Sequence, residues 1–258
     1  VFPYTNFTIT SQKQAMKVSL SGKKALVVGA TGGMGNAVAG MLSDNGVNCV
    51  VVGRDKDKLN DLEQNCLSGE ARFKSIISDI SDIDSIRECS AEAIEYLEGL
   101  NFLIHCAGIY NKSKADECDL EAWDDVLDTN LRSTYHFARH TLPEITKTPG
   151  GAVVRINSRD APHTGIGIQT LQKRAIDGYM EVLFEDVREH GTKVCTINPG
   201  FVNTAMVNPE RLNPERMIQP SDVSELIKFV LMTSATACPT EILLQPQRSP
   251  WKIQGRHI

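Results

Sequence analysis

Apolar residues along the chain gather in short runs, and longer amphipathic stretches separate the runs. Ala25 to Val28, Cys49 to Val52, Ala71 to Ile77, Asn101 to Cys106, Ala152 to Asn157, Lys193 to Ile197 and Ile242 to Leu244 read as strands. Several are apolar throughout and do not alternate, which predicts strands buried on both faces. Between them the spacing predicts helices over Asn36 to Leu42, Lys56 to Gln64, Leu120 to Ile145 and Thr170 to Glu189. Two more follow cap signals: one from Ser81 or Asp82 to Leu97, the other from Ser221 to Met232. Gly46, Gly150-Gly151, Gly191 and Pro199-Gly200 punctuate the pattern. Regular alternation of strand and helix demands a parallel sheet covered on both faces, the doubly wound α/β class. No linker, repeat or low-complexity segment divides it. Residues 20–258 therefore read as one domain, preceded by a polar arm over 1–19.

Within this pattern Ala25 to Gly35 carries the first chemical signal. A buried strand runs into Gly29, Gly32, Gly33 and Gly35, and a helix follows at once. Such a turn lets the backbone approach a ligand closely. The helix start then offers free N–H groups and a partial positive charge to a pyrophosphate.

Composition narrows the choice of partner. The 258 residues are 41% hydrophobic and 23% charged, with a formal net charge of −5. An acidic chain of this kind is not built around nucleic acid or an anionic membrane. No apolar run is long enough to span a bilayer. The N-terminal residues lack a hydrophobic signal core, so the expected location is cytoplasmic, with an organellar matrix left open. Seven widely spaced cysteines with no C-x-x-C pair predict reduced thiols, and six scattered histidines offer no metal-ligand spacing. No metal is expected.

Several ordered motifs resemble the short-chain dehydrogenases/reductases of classical type, over about Ser19 to Pro246. Gly29-Ala30-Thr31-Gly32-Gly33-Met34-Gly35 resembles the family's glycine motif. Asp79-Ile80 matches the acidic position that contacts adenine. His105-Cys106-Ala107-Gly108 stands where N-N-A-G is typical, so its first two residues depart. Asn130 matches the asparagine of the family's proton relay. Pro199-Gly200-Phe201-Val202-Asn203-Thr204 resembles the segment that faces the nicotinamide end. Ser158 matches the family's serine, and Lys173 the lysine of Y-x-x-x-K. Four residues before Lys173, at the usual tyrosine, stands Gln169.

The resemblance implies a Rossmann fold, a small-molecule substrate and assembly as a homodimer or homotetramer. Leu131, Tyr135, Phe137, Ala138, Leu142 and Ile145 are expected to form core and part of that interface. It implies cofactor contacts at Gly29, Thr31, Gly33, Met34, Gly35, Arg54, Asp79, Ile80, Ala107, Gly108, Asn130, Lys173, Pro199, Gly200, Val202 and Thr204. NAD-preferring members carry Asp where this chain has Gly53. Arg54 follows it, and a guanidinium there suits a 2′-phosphate, so NADP is expected in preference to NAD. Asp55 offers an alternative partner for Arg54.

In the family the tyrosine delivers a proton as hydride arrives, the lysine lowers its pKa, the serine polarises the carbonyl and the asparagine holds a water relay. Gln169 donates a hydrogen bond but delivers no proton at neutral pH. Candidate substitutes are His163, Asp160, Arg159 and Tyr110, each of which also reads as a solvated loop residue. Cys106 reads as a packing thiol. Three functions stay open: an NADP(H)-dependent oxidoreductase with an altered proton donor, acting on a carbonyl, alcohol or activated double bond; an NADP-binding protein with non-redox chemistry; and a non-catalytic binding protein.

Overall fold

Seven parallel strands form one sheet in the order β3-β2-β1-β4-β5-β6-β7 in the computed structural model, which describes residues 18–66, 71–158, 164–207 and 209–252. The strands are β1 (Lys24–Val28), β2 (Asn48–Gly53), β3 (Phe73–Ile77), β4 (Phe102–His105), β5 (Ala152–Ile156), β6 (Lys193–Pro199) and β7 (Glu241–Leu244). The order reverses between β1 and β4, with β1 paired to β2 on one side and β4 on the other. Ala25 to Val28 have no exposed surface, as the unbroken apolar run requires.

Seven α-helices cover the two faces: α1 (Gly33–Asp44), α2 (Lys56–Cys66), α3 (Ile83–Leu97), α4 (Leu120–Val126), α5 (Ser133–Ile145), α6 (Gly167–Val187) and α7 (Pro220–Met232). Val38, Leu42, Leu59, Val223 and Ile227 pack α1, α2 and α7 onto Val27, Val51, Ile104 and Val154. On the other face Leu97, Phe137 and Ile176 bring α3, α5 and α6 onto Leu26, Val50, Leu103 and Val153. Each buried side chain of this size contributes about 1.5–3 kcal/mol relative to exposure. Lys193 opens β6 and donates from Nζ to the carbonyls of Val230, Leu231 and Thr233, at 3.2, 3.1 and 2.6 Å. It thereby satisfies the last turn of α7.

Most sequence boundaries agree with the structure within a few residues. Three details differ. The helix expected over Leu120 to Ile145 is interrupted by a π turn, Leu127–Arg132, between α4 and α5. The N-cap of α7 is Gln219, not Ser221. Gln219 and Asp222 form a reciprocal capping box, with the Gln219 N–H donating to Asp222 Oδ2 at 2.8 Å. Of the two candidate caps for α3, Asp82 serves, accepting from the Asp84 N–H at 2.9 Å. Phe137, Ala138 and Ile145 are buried as expected, whereas Tyr135 is largely exposed. Among the described residues no helix is long and apolar enough to cross a membrane. The polar arm proposed for 1–19 lies almost wholly outside the described residues.

Candidate functional site

The glycine turn sits at the C-terminal end of β1. The N–H groups of Gly29 and Ala30 both donate to the Val52 carbonyl, at 2.9 and 3.0 Å, which ties the turn to β2. Gly29 has φ +82°, and a Cβ there would lie 2.5 Å from the backbone nitrogen of Ala107. Only glycine fits that position. Helix α1 starts inside the turn, at Gly33, three residues earlier than the apolar pattern suggests. No side chain caps it and its first turn has no acidic residue. Its positive end is left open towards solvent.

A cleft of about 250 Å³ opens above this turn. The ends of four strands contribute to it: Gly29 to Gly35 after β1, Gly53 and Arg54 at the end of β2, Ser78 to Ile80 after β3, and Cys106 to Ile109 after β4. Val52, Thr129, Thr204, Ala205 and Met206 complete the lining. Thr31, Gly33, Met34, Asp79, Ile80, Ala107 and Gly108 are thus gathered in one place. Ser78, Ile109, Thr129 and Ala205 were not singled out from the sequence, although each adjoins a residue that was.

Position 53 is constrained by the turn itself. A Cβ on Gly53 would lie 2.6 Å from Thr31 Cγ2. No side chain enters there without displacing Thr31. Arg54 is exposed on the cleft wall. Asp55 does not pair with it. Asp55 binds Lys58, accepting from its N–H at 3.1 Å and its Nζ at 3.0 Å, and so caps α2. Asp79 accepts from the Ser81 N–H at 3.0 Å and the Ser81 hydroxyl at 2.8 Å. These bonds hold its carboxyl below the usual range, and the Arg54 charge adds in the same direction.

Asn130 lies in the π turn. Its Oδ1 accepts from the Ile109 N–H and its Nδ2 donates to the Ile109 carbonyl, both at 2.8 Å. The side chain therefore clamps the segment after β4 that lines the cleft, and Gly108 passes directly beneath it. The Asn130 carbonyl accepts from the Thr134 hydroxyl at 2.7 Å and from Arg155 Nη2 at 3.0 Å.

Arg155 sits in β5 opposite His105 of β4 and is buried. Its Nη1 donates to the carbonyls of His105 and Ile156, at 3.0 and 2.6 Å. Burial lowers its pKa to about 10, which leaves it cationic at neutral pH. His105 Nε2 lies 2.9 Å from Ser133 Oγ, and Ser133 donates its own proton to the Thr129 carbonyl at 2.6 Å. The imidazole proton is accordingly assigned to Nε2. Burial and the Arg155 charge push the His105 pKa well below 6.5. Cys106 lines the cleft as a protonated thiol, its pKa raised to about 12 by burial.

Most of the other predicted site residues are not among those that line this cleft. Gln169 and Lys173 are one turn apart on α6 and both buried, Gln169 at 1% exposure and Lys173 at 8%. Gln169 Oε1 accepts from Gln172 Nε2 at 3.4 Å, and Gln169 Nε2 has no partner among the described residues. Asn157 Nδ2 donates to the Lys173 carbonyl at 3.1 Å and to Asp177 Oδ1 at 2.9 Å, which fixes this turn of α6 to the end of β5. Ser158 follows Asn157 and is partly buried. Tyr110 is half exposed. Of the nicotinamide-end segment, Thr204 lines the cleft. Pro199 ends β6, Gly200 abuts Gln245, and Val202 is buried in a bridge to Ile218. His163, Asp160 and Arg159 lie outside the described residues.

Solved structures share this architecture. A short chain dehydrogenase from Burkholderia cenocepacia J2315, in complex with NADP, superposes with a TM-score of 0.82 at 23% identity, covering 89% of this chain and 98% of that one. A blue fluorescent protein from a metagenomic library, in complex with NADPH, gives a TM-score of 0.83 at 20% identity, covering 89% and 98%. An uncharacterised oxidoreductase of Staphylococcus aureus strain USA300 is 28% identical over 229 residues, 88% of this chain and 98% of that protein. Residues 23–215 match the family model described as short chain dehydrogenase. That match runs from β1 through the cleft-lining Thr204 and on to Glu215, and by it this chain belongs to the short-chain dehydrogenase family.

Proposed function

We propose that the chain is an oxidoreductase that binds NADP(H) and acts on a small carbonyl, alcohol or activated double bond without a tyrosine proton donor. One observation carries the reading: a single cleft joins the glycine turn, the uncapped start of α1, Arg54, Asp79 and Thr204. These residues fit a phosphorylated dinucleotide. Gly32 and Gly33 place no side chain in the turn, and α1 directs unsatisfied N–H groups at a pyrophosphate. Arg54 would hold a 2′-phosphate through charge-assisted hydrogen bonds. Gly53, closed to side chains by Thr31, keeps a competing carboxylate away. Relatives with the same fold are described in complex with NADP and NADPH. Bound here, the dinucleotide would donate or accept a hydride.

The chain's own groups supply the rest. Lys173 and Ser158 occupy the family's lysine and serine positions. The Gln169 N–H, without a partner among the described residues, is a hydrogen-bond donor for an oxygen that gains negative charge, which would stabilise that charge. It delivers no proton. Losing a positioned acid costs about 10²–10⁴ in rate. Turnover of ordinary carbonyls is therefore slow, and enones or imines are the better substrates.

Following NADPH absorbance against a panel of carbonyls, enones and imines tests this. The expected result is oxidation with at least one enone or imine and a gain of about tenfold or more on carbonyls in Gln169→Tyr. NADPH binding with no oxidation, unchanged by Gln169→Tyr, would overturn it.

The burial of Gln169 favours a second reading, in which the chain binds the dinucleotide for non-redox catalysis or without catalysis. Trp123 donates from Nε1 to Ser113 Oγ at 2.7 Å, and Ser113 bridges to Ile166 at the entry to α6. Trp123 also lies 3.6 Å from a Cβ placed on Gly167, so these residues pack on the first turn of α6, the turn that carries Gln169. The exposed side chains of Tyr135 on α5 and of Leu171 and Val182 on α6 support assembly as a homodimer or homotetramer.

A further inference from the structure

We propose that the Arg155 guanidinium, buried beside the cleft without a carboxylate partner, makes this site bind the reduced dinucleotide in preference to the oxidised one. The inference rests on the dinucleotide reading above. Arg155 donates to three backbone carbonyls, of His105, Ile156 and Asn130, and forms no ion pair among the described residues. Carbonyl dipoles solvate the cation but leave its net charge in place. Burial removes the screening that salt and water give to a surface arginine. Its hydrogen bonds locate the charge. His105 directly precedes Cys106, and Asn130 directly follows Thr129, and both of these neighbours line the cleft.

The oxidised and reduced dinucleotides carry the same phosphates and differ by the positive charge of the oxidised nicotinamide ring. A fixed cation beneath the site opposes that charge and is indifferent to the neutral reduced ring. Two unit charges about 10 Å apart at an effective dielectric near 20 shift a binding ratio by roughly tenfold. The same position filled by a neutral side chain lacks this contribution to the bias.

Calorimetric titration of the whole chain with NADPH and with NADP⁺ gives the ratio of the two Kd values. Because each variant is its own reference, general damage to affinity cancels. The wild-type protein is expected to favour NADPH by roughly tenfold. Arg155→Lys keeps the charge and should retain most of the preference. Arg155→Gln should lose several-fold of it. An unchanged ratio in Arg155→Gln, with both forms still bound, would overturn the inference and leave the dinucleotide reading intact. A wild-type ratio at or below one would overturn it whether or not Arg155→Gln folds. Failure of the wild-type protein to bind either form removes the dinucleotide reading, and this inference with it.

Discussion

His105 and Arg155 face each other at paired positions of β4 and β5, and both are buried. The departure of His105 from the asparagine typical of its motif is visible in the sequence. Its companion is not, because the register between two strands about 50 residues apart is set by the sheet. His105 carries a stability signature. Its folded pKa lies well below the 6.5 of an unhindered imidazole. The unfolded chain therefore binds a proton on His105 below about pH 6.5 that the folded chain refuses. Stability is retained above that pH and is lost as pH falls, by up to about 1.4 kcal/mol per unit from this group. Thermal unfolding at pH 7.5 and 5.5 checks this: the drop in Tm should be smaller in His105→Asn than in the wild-type protein. Asn130 shows the other side of legibility. Its motif marked it for a water relay, whereas both ends of its side-chain amide clamp Ile109. The residue was recognisable, but its partners were not.

Among the elements, two glycines in and before α1 have opposite consequences. Gly29, in the turn that leads into it, has positive φ and abuts Ala107. Gly40, inside the helix, would meet nothing within 4 Å of an added Cβ. Gly29→Ala should destabilise the fold by at least about 2 kcal/mol, from left-handed strain and the collision with the Ala107 backbone. Gly40→Ala should stabilise it by about 0.5–1 kcal/mol. In a chain of this size those changes correspond to Tm shifts of roughly −4 °C or more and about +1 to +4 °C. Differential scanning calorimetry reads both. Tm shifts of the same sign would contradict the described turn. The long helix between β4 and β5 was legible as a helix. Its π turn was not, since widening one turn leaves the apolar period over some 25 residues almost unchanged. That widened turn is where Asn130 meets Arg155 and Ile109. The α7 cap was misread at Ser221 because Gln is a weak cap in isolation. The reciprocal bond from Asp222 decides it.

Across the whole molecule, the alternation of buried runs and amphipathic stretches was sufficient for the doubly wound sheet, because only that arrangement covers both faces of so apolar a set of strands. The cleft lies where such sheets bind ligands, at the strand ends beside the reversal between β1 and β4. The glycine turn and the strand ends that line it were legible because contiguous motifs build them. Gln169 and Lys173, which are not among the residues that line the cleft, were legible only as positions in a pattern. Their helix is fixed by Asn157, which bonds the Lys173 carbonyl, and by Ser113 and Trp123, which reach Ile166 and Gly167 at its start from a separate segment. We propose that this cleft selects a 2′-phosphorylated dinucleotide through Arg54. Fluorescence titration of the wild-type protein and Arg54→Ala with NADPH and NADH tests it most directly. The Kd for NADPH should rise by roughly ten- to hundredfold in Arg54→Ala, with that for NADH nearly unchanged. Tighter binding of NADH than NADPH by the wild-type protein, or an NADPH affinity indifferent to Arg54→Ala, would contradict it.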